Sequence, residues 1–571
     1  MAVVKLYNRK KTVIAMFLCA LLLLMLIGRI GYIMIFCQEK YKSGAIEIHH
    51  RERRIKAPRG KILDRNGLIL ATNKTVCTIS VIHSQIKEPK KVINVLAKEL
   101  QMDKKQIEKK VKKVSSREKI KSNVDKTVGD TIRDYGLSGV KVDEDYRRTY
   151  PENMLASKVL GFTGADNQGI VGLEAKYDGI LKGVDGKILT LTDAAGRELP
   201  GALESRKESV AGKDLQISID KNVQEYAMQI ANRARKEKQA NYVSIIVMNP
   251  KNGEILAMVS VPEYNLNDPL TLNERTSEKK GSKAYMEMLN KMWRNPCIND
   301  TYEPGSTFKI ITAAAGLEEK VVSINQSFFC PGYKIVEDRK IRCHKVQGHG
   351  SETFLQGVMN SCNPVFMTVG ERIGVKRFYH YFEQFGLLRK TGIDLAGEAP
   401  IILHEQKNVG PVELATMSFG QSFQITPIAL LRTVSAIING GTLVTPHFAV
   451  KTVDAYTGEQ KQFSYPSTTG AISKESCETM RYILEKVVSE GTGKKGYVEG
   501  FSVGGKTATS QKLPRGSGKY ISSYIGFAPA EDPQVLAIAI LDEPKGVYYG
   551  GTVAAPLIQE LYTNILPYIL E

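Results

Sequence analysis

Glu303-Pro304-Gly305-Ser306-Thr307-Phe308-Lys309, followed by the apolar run Ile310-Ile311-Thr312-Ala313-Ala314-Ala315, is the stretch on which the reading of this chain turns. On a helix, residues three apart share a face, so the amine of Lys309 can reach the hydroxyl of Ser306. A serine hydroxyl is a weak nucleophile at neutral pH, and an adjacent amine that accepts its proton removes that limit. The Pro-Gly turn seats Ser306 at a helix N-terminus, where free backbone N–H groups favour negative charge. Alone, such a pair is also what an ordinary surface helix carries.

Two further stretches in order change that reading: Ser361-Cys362-Asn363 and Lys506-Thr507-Ala508-Thr509. The three together resemble the S-x-x-K, S-x-N, K-T-G order of penicillin-binding proteins and serine β-lactamases. Ala508 departs from the pattern, standing where the family has glycine. Its added Cβ lies where a ligand passes close to the strand backbone.

Around these motifs the hydrophobic pattern predicts an α+β domain over about 216–571. Leu215 to Asp220 alternates like a strand and opens a helix. Val243 to Met248 and Ile255 to Ser260 flank the turn Asn249-Pro250-Lys251-Asn252-Gly253, a hairpin. Gly504 to Thr509 and Val535 to Ile540 read as further strands. An antiparallel sheet built from both ends of this region, with the Ser306 helices between, is the expected fold. A chain of 571 residues is too long for one core. Its formal charge of +19 comes without any nucleic-acid-binding motif. That excludes nucleic acid as the expected partner and favours anionic lipid headgroups and wall polymers.

Thr12 to Phe36 is almost entirely apolar and long enough to cross a bilayer. Lys5, Arg9, Lys10 and Lys11 precede it, which places residues 1–11 in the cytoplasm. No A-x-A-like cleavage site follows. The expected protein is single-pass in the cell membrane, residues 12–36 spanning, with its bulk extracytoplasmic. Residues 37–215 form a second region of short, polar elements. There, Arg59 to Gly67 is similar to the R-G-x-I-x-D-R-N-G signature of class B penicillin-binding proteins. Arg147-Arg148-Thr149-Tyr150-Pro151 and Gly169 to Glu174 resemble two more elements of that family's non-catalytic pedestal, and Lys87 to Lys121 reads as a basic insertion.

The resemblance implies the penicillin-binding transpeptidase fold behind an elongated pedestal or dimerisation-type domain, and a serine D,D-transpeptidase of the septal or sporulation type. Ser306 would attack a D-alanyl-D-alanine stem peptide, with Lys309 as base. Ser361 and Asn363 would relay the proton and orient the amide. Lys506 would lower the basicity of its neighbours and attract the substrate carboxylate, while Thr507 and Thr509 offer it hydroxyls along the strand that Ala508 narrows. The expected partners are peptidoglycan stem peptides on lipid-linked precursor strands and β-lactam antibiotics. No glycosyltransferase module is evident, so a glycosyltransferase partner in the membrane is expected. A membrane-anchored β-lactam sensor or β-lactamase is the alternative, separable by fast penicillin deacylation. A catalytically weak divisome scaffold is another, with Ala508 as its symptom.

The chemistry needs no cofactor. Among eight cysteines, Cys330 and Cys343 bracket a short loop that continues to His349. Two thiolates and an imidazole supply three of four tetrahedral zinc ligands. A Cys330–Cys343 disulfide is the competing reading for an extracytoplasmic pair, and free thiols are a third. Asp542 is the candidate fourth ligand, on the expectation that its strand runs antiparallel to the Lys506 strand. Cys362 and the remaining cysteines look isolated, and His349 also falls in a family-like Gly348-His349-Gly350 element.

Overall fold

Five strands of the predicted α+β domain form one antiparallel sheet. They are β1 (Tyr242–Met248), β2 (Ile255–Val261), β3 (Gly504–Gln511), β4 (Tyr520–Ala528) and β5 (Val535–Asp542), in the spatial order β2-β1-β5-β4-β3. The computed structural model describes residues 2–38, 50–115, 117–191 and 205–570. The central strands read as unbroken apolar runs because both faces of the sheet are covered. Val243, Ile245 and Val247 pack with Val223 and Ala227 of α1 (Lys221–Lys238) and with Ile558 and Leu561 of α5 (Ala555–Leu570). Ile246 and Met248, one residue out of phase, face the second core. That core holds Ile310 and Ile311 of α2 (Lys309–Glu318), Val365 and Phe366 of α3 (Asn363–Gln384), and Met480 and Ile483 of α4 (Lys474–Ser489).

Strand order corrects one expectation. β4 lies between β3 and β5, antiparallel to each, so the Asp542 strand runs parallel to the Lys506 strand and one strand removed from it.

The contacts divide the chain into two units: Met1–Pro58, Lys74–Arg147 and Val184–Ala211 in one; Arg59–Asn73, Arg148–Gly183 and Gly212–Glu571 in the other. Two segments expected in the 37–215 region thus fold with the catalytic unit. Ile62 and Leu63 pair in parallel with Leu215 and Gln216, and Tyr177 Oη donates to Asp394 at 2.7 Å, which ties the two segments to the rest of that unit; a buried ion network ties them to each other. Arg59 Nε donates to Glu174 at 2.6 Å and Arg59 Nη1 to Asp178 at 2.6 Å, while Arg148 Nε donates to Glu174 at 2.7 Å. The predicted Asn66-Gly67 turn is present: Asp64 Oδ1 accepts from Asn66 N and Leu68 N at 2.8 Å, and Gly67 takes φ +85°.

In the other unit, helices Pro89–Leu100, Lys104–Val111 and Lys126–Asp134 and the strand Glu118–Asp125 close a small core of Ile79, Val92, Leu96, Ile107 and Ile120. Its N-terminal helix Ala2–Phe36 contains an apolar stretch, Arg9–Phe36. At 1.5 Å per residue these 28 residues reach about 42 Å, more than the roughly 30 Å hydrocarbon core. Among the described residues it is the one helix long and apolar enough to cross a membrane.

Candidate active site

Ser306 lies in a 3-10 turn, Gly305–Thr307, immediately before α2, at the helix N-terminus where the Pro-Gly turn is expected to seat it. The turn is pinned from all sides. Gly305 N donates to Gly420 O at 2.9 Å, Thr307 Oγ1 donates to Pro304 O at 2.7 Å, and Phe308 stacks against Phe423 and Phe382 at 4.6 and 5.5 Å. Gly305 has φ +56°, and a Cβ there would collide with the Ser510 hydroxyl, so the turn sits directly against β3. Glu303, in the same stretch, accepts from Ser422 N at 3.0 Å and from Arg515 Nη2 at 2.5 Å. Sequence reasoning passed over that residue, although it lies in the deciding stretch.

Lys309 is fully buried. Its ammonium spends all three protons on the loop opposite: Ser361 O at 2.7 Å, Asn363 Oδ1 at 2.7 Å and Ser361 Oγ at 3.2 Å. Among the described residues no carboxylate lies within ion-pair distance of it. Loss of water on burial pulls its pKa down to about 8, against smaller opposing effects of Cys343, Cys362 and Glu352. Ser306 Oγ, partly exposed, takes no hydrogen bond from it. The amine therefore needs to lose a proton before it can accept one from Ser306.

Ser361 itself has φ +57°, a left-handed conformation uncommon for serine and of the kind held at functional sites. It ends the helix Phe354–Met359, with its N–H on Val358 O at 3.1 Å. Asn363 opens α3 and donates from Nδ2 to Arg342 O at 3.1 Å.

Lys506 is also fully buried, and its pKa is held well below the ordinary lysine range by desolvation and by the charge of Lys309. The expected direction of influence is thus reversed: burial, not Lys506, lowers Lys309. Alternation along β3 puts Lys506, Ala508 and Ser510 on one face, with the Ala508 methyl turned toward the Gly305 turn. Thr507 and Thr509 take the opposite face, beside Gly551 and Gly550. Thr509 Oγ1 accepts from Gly550 N at 2.9 Å, and its own proton stays available to donate. β3 is the sheet edge.

The sulfur ligands come together differently from the expectation. Cys330, Cys343, His349 and Cys362 place their ligand atoms within 4.8 Å of one another. Cys343 Sγ lies 3.7 Å from His349 Nδ1. A tetrahedral zinc with Zn–S bonds of about 2.3 Å needs donors about 3.7 Å apart, so the set fits that ion. All eight cysteines are free in the structure. Asp542 is not a member. It ends β5, where its carboxylate accepts from Lys512 Nζ at 2.9 Å and Asn241 Nδ2 at 3.0 Å. The fourth place belongs to Cys362, the middle residue of the Ser361-Cys362-Asn363 motif. Cys343 is held well below the usual thiol range by its hydrogen bond with Cys362, whose own thiol is pushed up by the same bond and by burial. Glu352, beside them, keeps a buried Oε1 without a hydrogen-bond partner.

Residues 243–563 match the penicillin-binding protein transpeptidase domain, and residues 54–217 match the penicillin-binding protein dimerisation domain. The chain is 40% identical to stage V sporulation protein D of Bacillus subtilis over 568 residues, covering 98% of this chain and 86% of that protein. It is 28% identical to the probable peptidoglycan D,D-transpeptidase PenA of Neisseria gonorrhoeae, over 90% of this chain and 84% of that one. Its fold is similar to that of penicillin-binding protein 2X from Streptococcus thermophilus, with a TM-score of 0.76 at 23% identity, over 90% of this chain and 80% of that one. With a buried lysine beside the Ser306 turn and a dimerisation domain ahead of the catalytic one, the chain belongs to the class B penicillin-binding proteins, the peptidoglycan D,D-transpeptidases.

Proposed function

We propose that Ser306 forms the acyl-enzyme with a D-alanyl-D-alanine stem peptide and that a neutral Lys309 is its base. The observation that carries this is the burial of Lys309 without a carboxylate, its amine resting on Ser361 and Asn363. Ser306 Oγ attacks the carbonyl of the penultimate D-alanine as Lys309 Nζ takes its proton. Ser361 Oγ, already bonded to that amine, passes a proton to the leaving D-alanine nitrogen. Lys506 draws the terminal carboxylate along β3, where the Thr509 hydroxyl can donate to it. The N–H groups of Ser306 and Thr509 stabilise the oxyanion, a contribution of about 3 kcal/mol per donor. An amine of a second stem then displaces Ser306, leaving a peptide crosslink. A β-lactam stops at the acyl-enzyme.

The N-terminal helix anchors the enzyme in the cell membrane with its bulk outside, beside a glycosyltransferase that polymerises the glycan. The Cys330, Cys343, His349 and Cys362 cluster holds a structural zinc ion. Bound there, the metal would fix the loop on either side of Cys362, and so Ser361 and Asn363, without entering the reaction.

Mass spectrometry of the penicillin-treated protein tests the central assignment. A single penicilloyl adduct on Ser306 is expected; an adduct on another residue, or none at saturating drug, contradicts it.

A further inference from the structure

The catalytic cleft does not end at β3. Where all five strands of the sheet reach the same side, three cavities follow one another across their ends. The first, about 210 Å³, lies between Glu303, Ser510 and Ile521, directly beside the Ser306 turn. The second, about 480 Å³, lies against Ile521, Asp542 and Tyr242, at the ends of β4, β5 and β1. The third, about 970 Å³, continues past Asp542 and Tyr242 to Pro262, just beyond β2. Lys512 lines all three, and the second and third also share Arg294 and Asp300. With strands about 4.8 Å apart, the four intervals from β3 to β2 span about 19 Å. An extended peptide needs about six residues to cover that distance.

Charge says what the far cavity takes. Its wall carries six cationic side chains and three carboxylates. The carboxylates are already used: Glu274 by Arg235 at 3.3 Å, Asp300 by Arg294 at 2.5 Å and Asp542 by Lys512 at 2.9 Å. Lys158, Lys236 and Lys291 remain. Lys158 is half-buried and feels the charge of the buried Glu263, whereas Lys236 and Lys291 are exposed and make no ion pair among the described residues. Leu272, Met288 and Met292 complete the wall with apolar surface. An anionic ligand with an apolar body fits this lining, and a bare inorganic ion would leave the apolar part unfilled.

We propose that these cavities form an extension of the catalytic cleft that holds the carboxylate-bearing stem peptides of a peptidoglycan strand, with Lys236 and Lys291 as the anion contacts. The inference rests on the transpeptidase reading. A single stem reaching Ser306 fills the first cavity and part of the second. The third is at the right distance for the far end of that stem or for a neighbouring one. Lys236 and Lys291 thus select strand substrates over small mimics of the D-alanyl-D-alanine terminus.

The test uses the full-length chain in detergent micelles. Binding of glycan strands with intact pentapeptide stems is measured in the Ser306→Ala background, which prevents turnover, with and without Lys236→Glu plus Lys291→Glu. The double change is expected to weaken binding about tenfold, and Lys236→Arg plus Lys291→Arg to retain it. Strands stripped of their stems should bind weakly to every variant. With Ser306 present, penicillin acylation of the double variant should stay within twofold of the parent. Equal strand affinity in parent and double variant overturns the proposal, as does equal binding of intact and stripped strands. Tighter binding of poly(glycerol phosphate), displacing the strands, would also overturn it by assigning the groove to wall phosphates. Failure of penicillin to acylate Ser306 in the parent is a separate outcome and contradicts the transpeptidase mechanism itself.

Discussion

Arg59, Arg148 and Glu174 are buried together in the same unit that buries Lys309 and Lys506, but the two groups are built on opposite terms. In the first, Glu174 is wholly enclosed and accepts from both guanidiniums at 2.6 and 2.7 Å. Every major charge has a partner, and the network joins segments 115 residues apart in sequence. In the second, two amines lie at 0% exposure with no carboxylate in ion-pair range among the described residues. A paired buried charge stays charged and serves structure. An unpaired one is pushed toward its neutral form, and for an amine that means becoming a base near neutral pH.

The comparison breaks most easily at Lys309. Lys309→Ala should leave the melting temperature close to that of the parent, because an unpaired buried amine contributes little to the fold. Acylation by penicillin should fall by a factor of about 10³ or more, as the serine loses its activating base. Comparable acylation rates in the two proteins would show that another group takes the proton.

Glu174→Ala should do the reverse. It leaves two buried guanidiniums without their shared carboxylate, and removal of one partner of a buried pair costs about 3–5 kcal/mol. Denaturant unfolding should show that loss, while the folded fraction acylates at the parental rate. A change below about 1 kcal/mol would mean that the network is not what holds the Arg59 and Arg148 segments to each other.

The thiol cluster sharpens the contrast, because it is a buried charged group whose counterion would be a metal. Chelation of protein purified without chelator should lower the melting temperature and slow acylation several-fold, and Cys362→Ser should reproduce both effects. Zinc below about a tenth of an equivalent in such protein would remove the metal from the account.

Legibility in the sequence followed the range of the interactions. The Ser306 and Lys309 pair, the Ser361 and Asn363 pair and the apolar strands are short-range patterns, and the structure brings Lys309, Ser361 and Asn363 into direct contact. Asp542 was misplaced because strand order is not a local property; one intervening strand, β4, separates it from the Lys506 strand. Cys362 looked isolated because its partners lie 13 to 32 positions earlier and meet it only after the Ser327–Cys330 and Gly350–Thr353 strands pair. Ser306 sits at the N-terminus of the α2 helix, as the Pro-Gly turn signals, and the 3-10 form of that first turn is the detail the sequence does not give. The segments around Arg59 and Arg148 fold with the catalytic unit through contacts far apart in sequence, the Ile62–Leu215 pairing and the Tyr177 bond to Asp394 among them, which no periodicity reveals.

The pH dependence of acylation tests the central claim most directly, that a desolvated Lys309 is the base. Its pKa of about 8 leaves roughly a tenth of it neutral at pH 7 and half at pH 8. The second-order rate of penicillin acylation, measured on folded protein from pH 6 to 10, should therefore rise about fivefold between pH 7 and 8 and level off above pH 9. A profile flat across this range, or one that falls as pH rises through 8, would contradict the account.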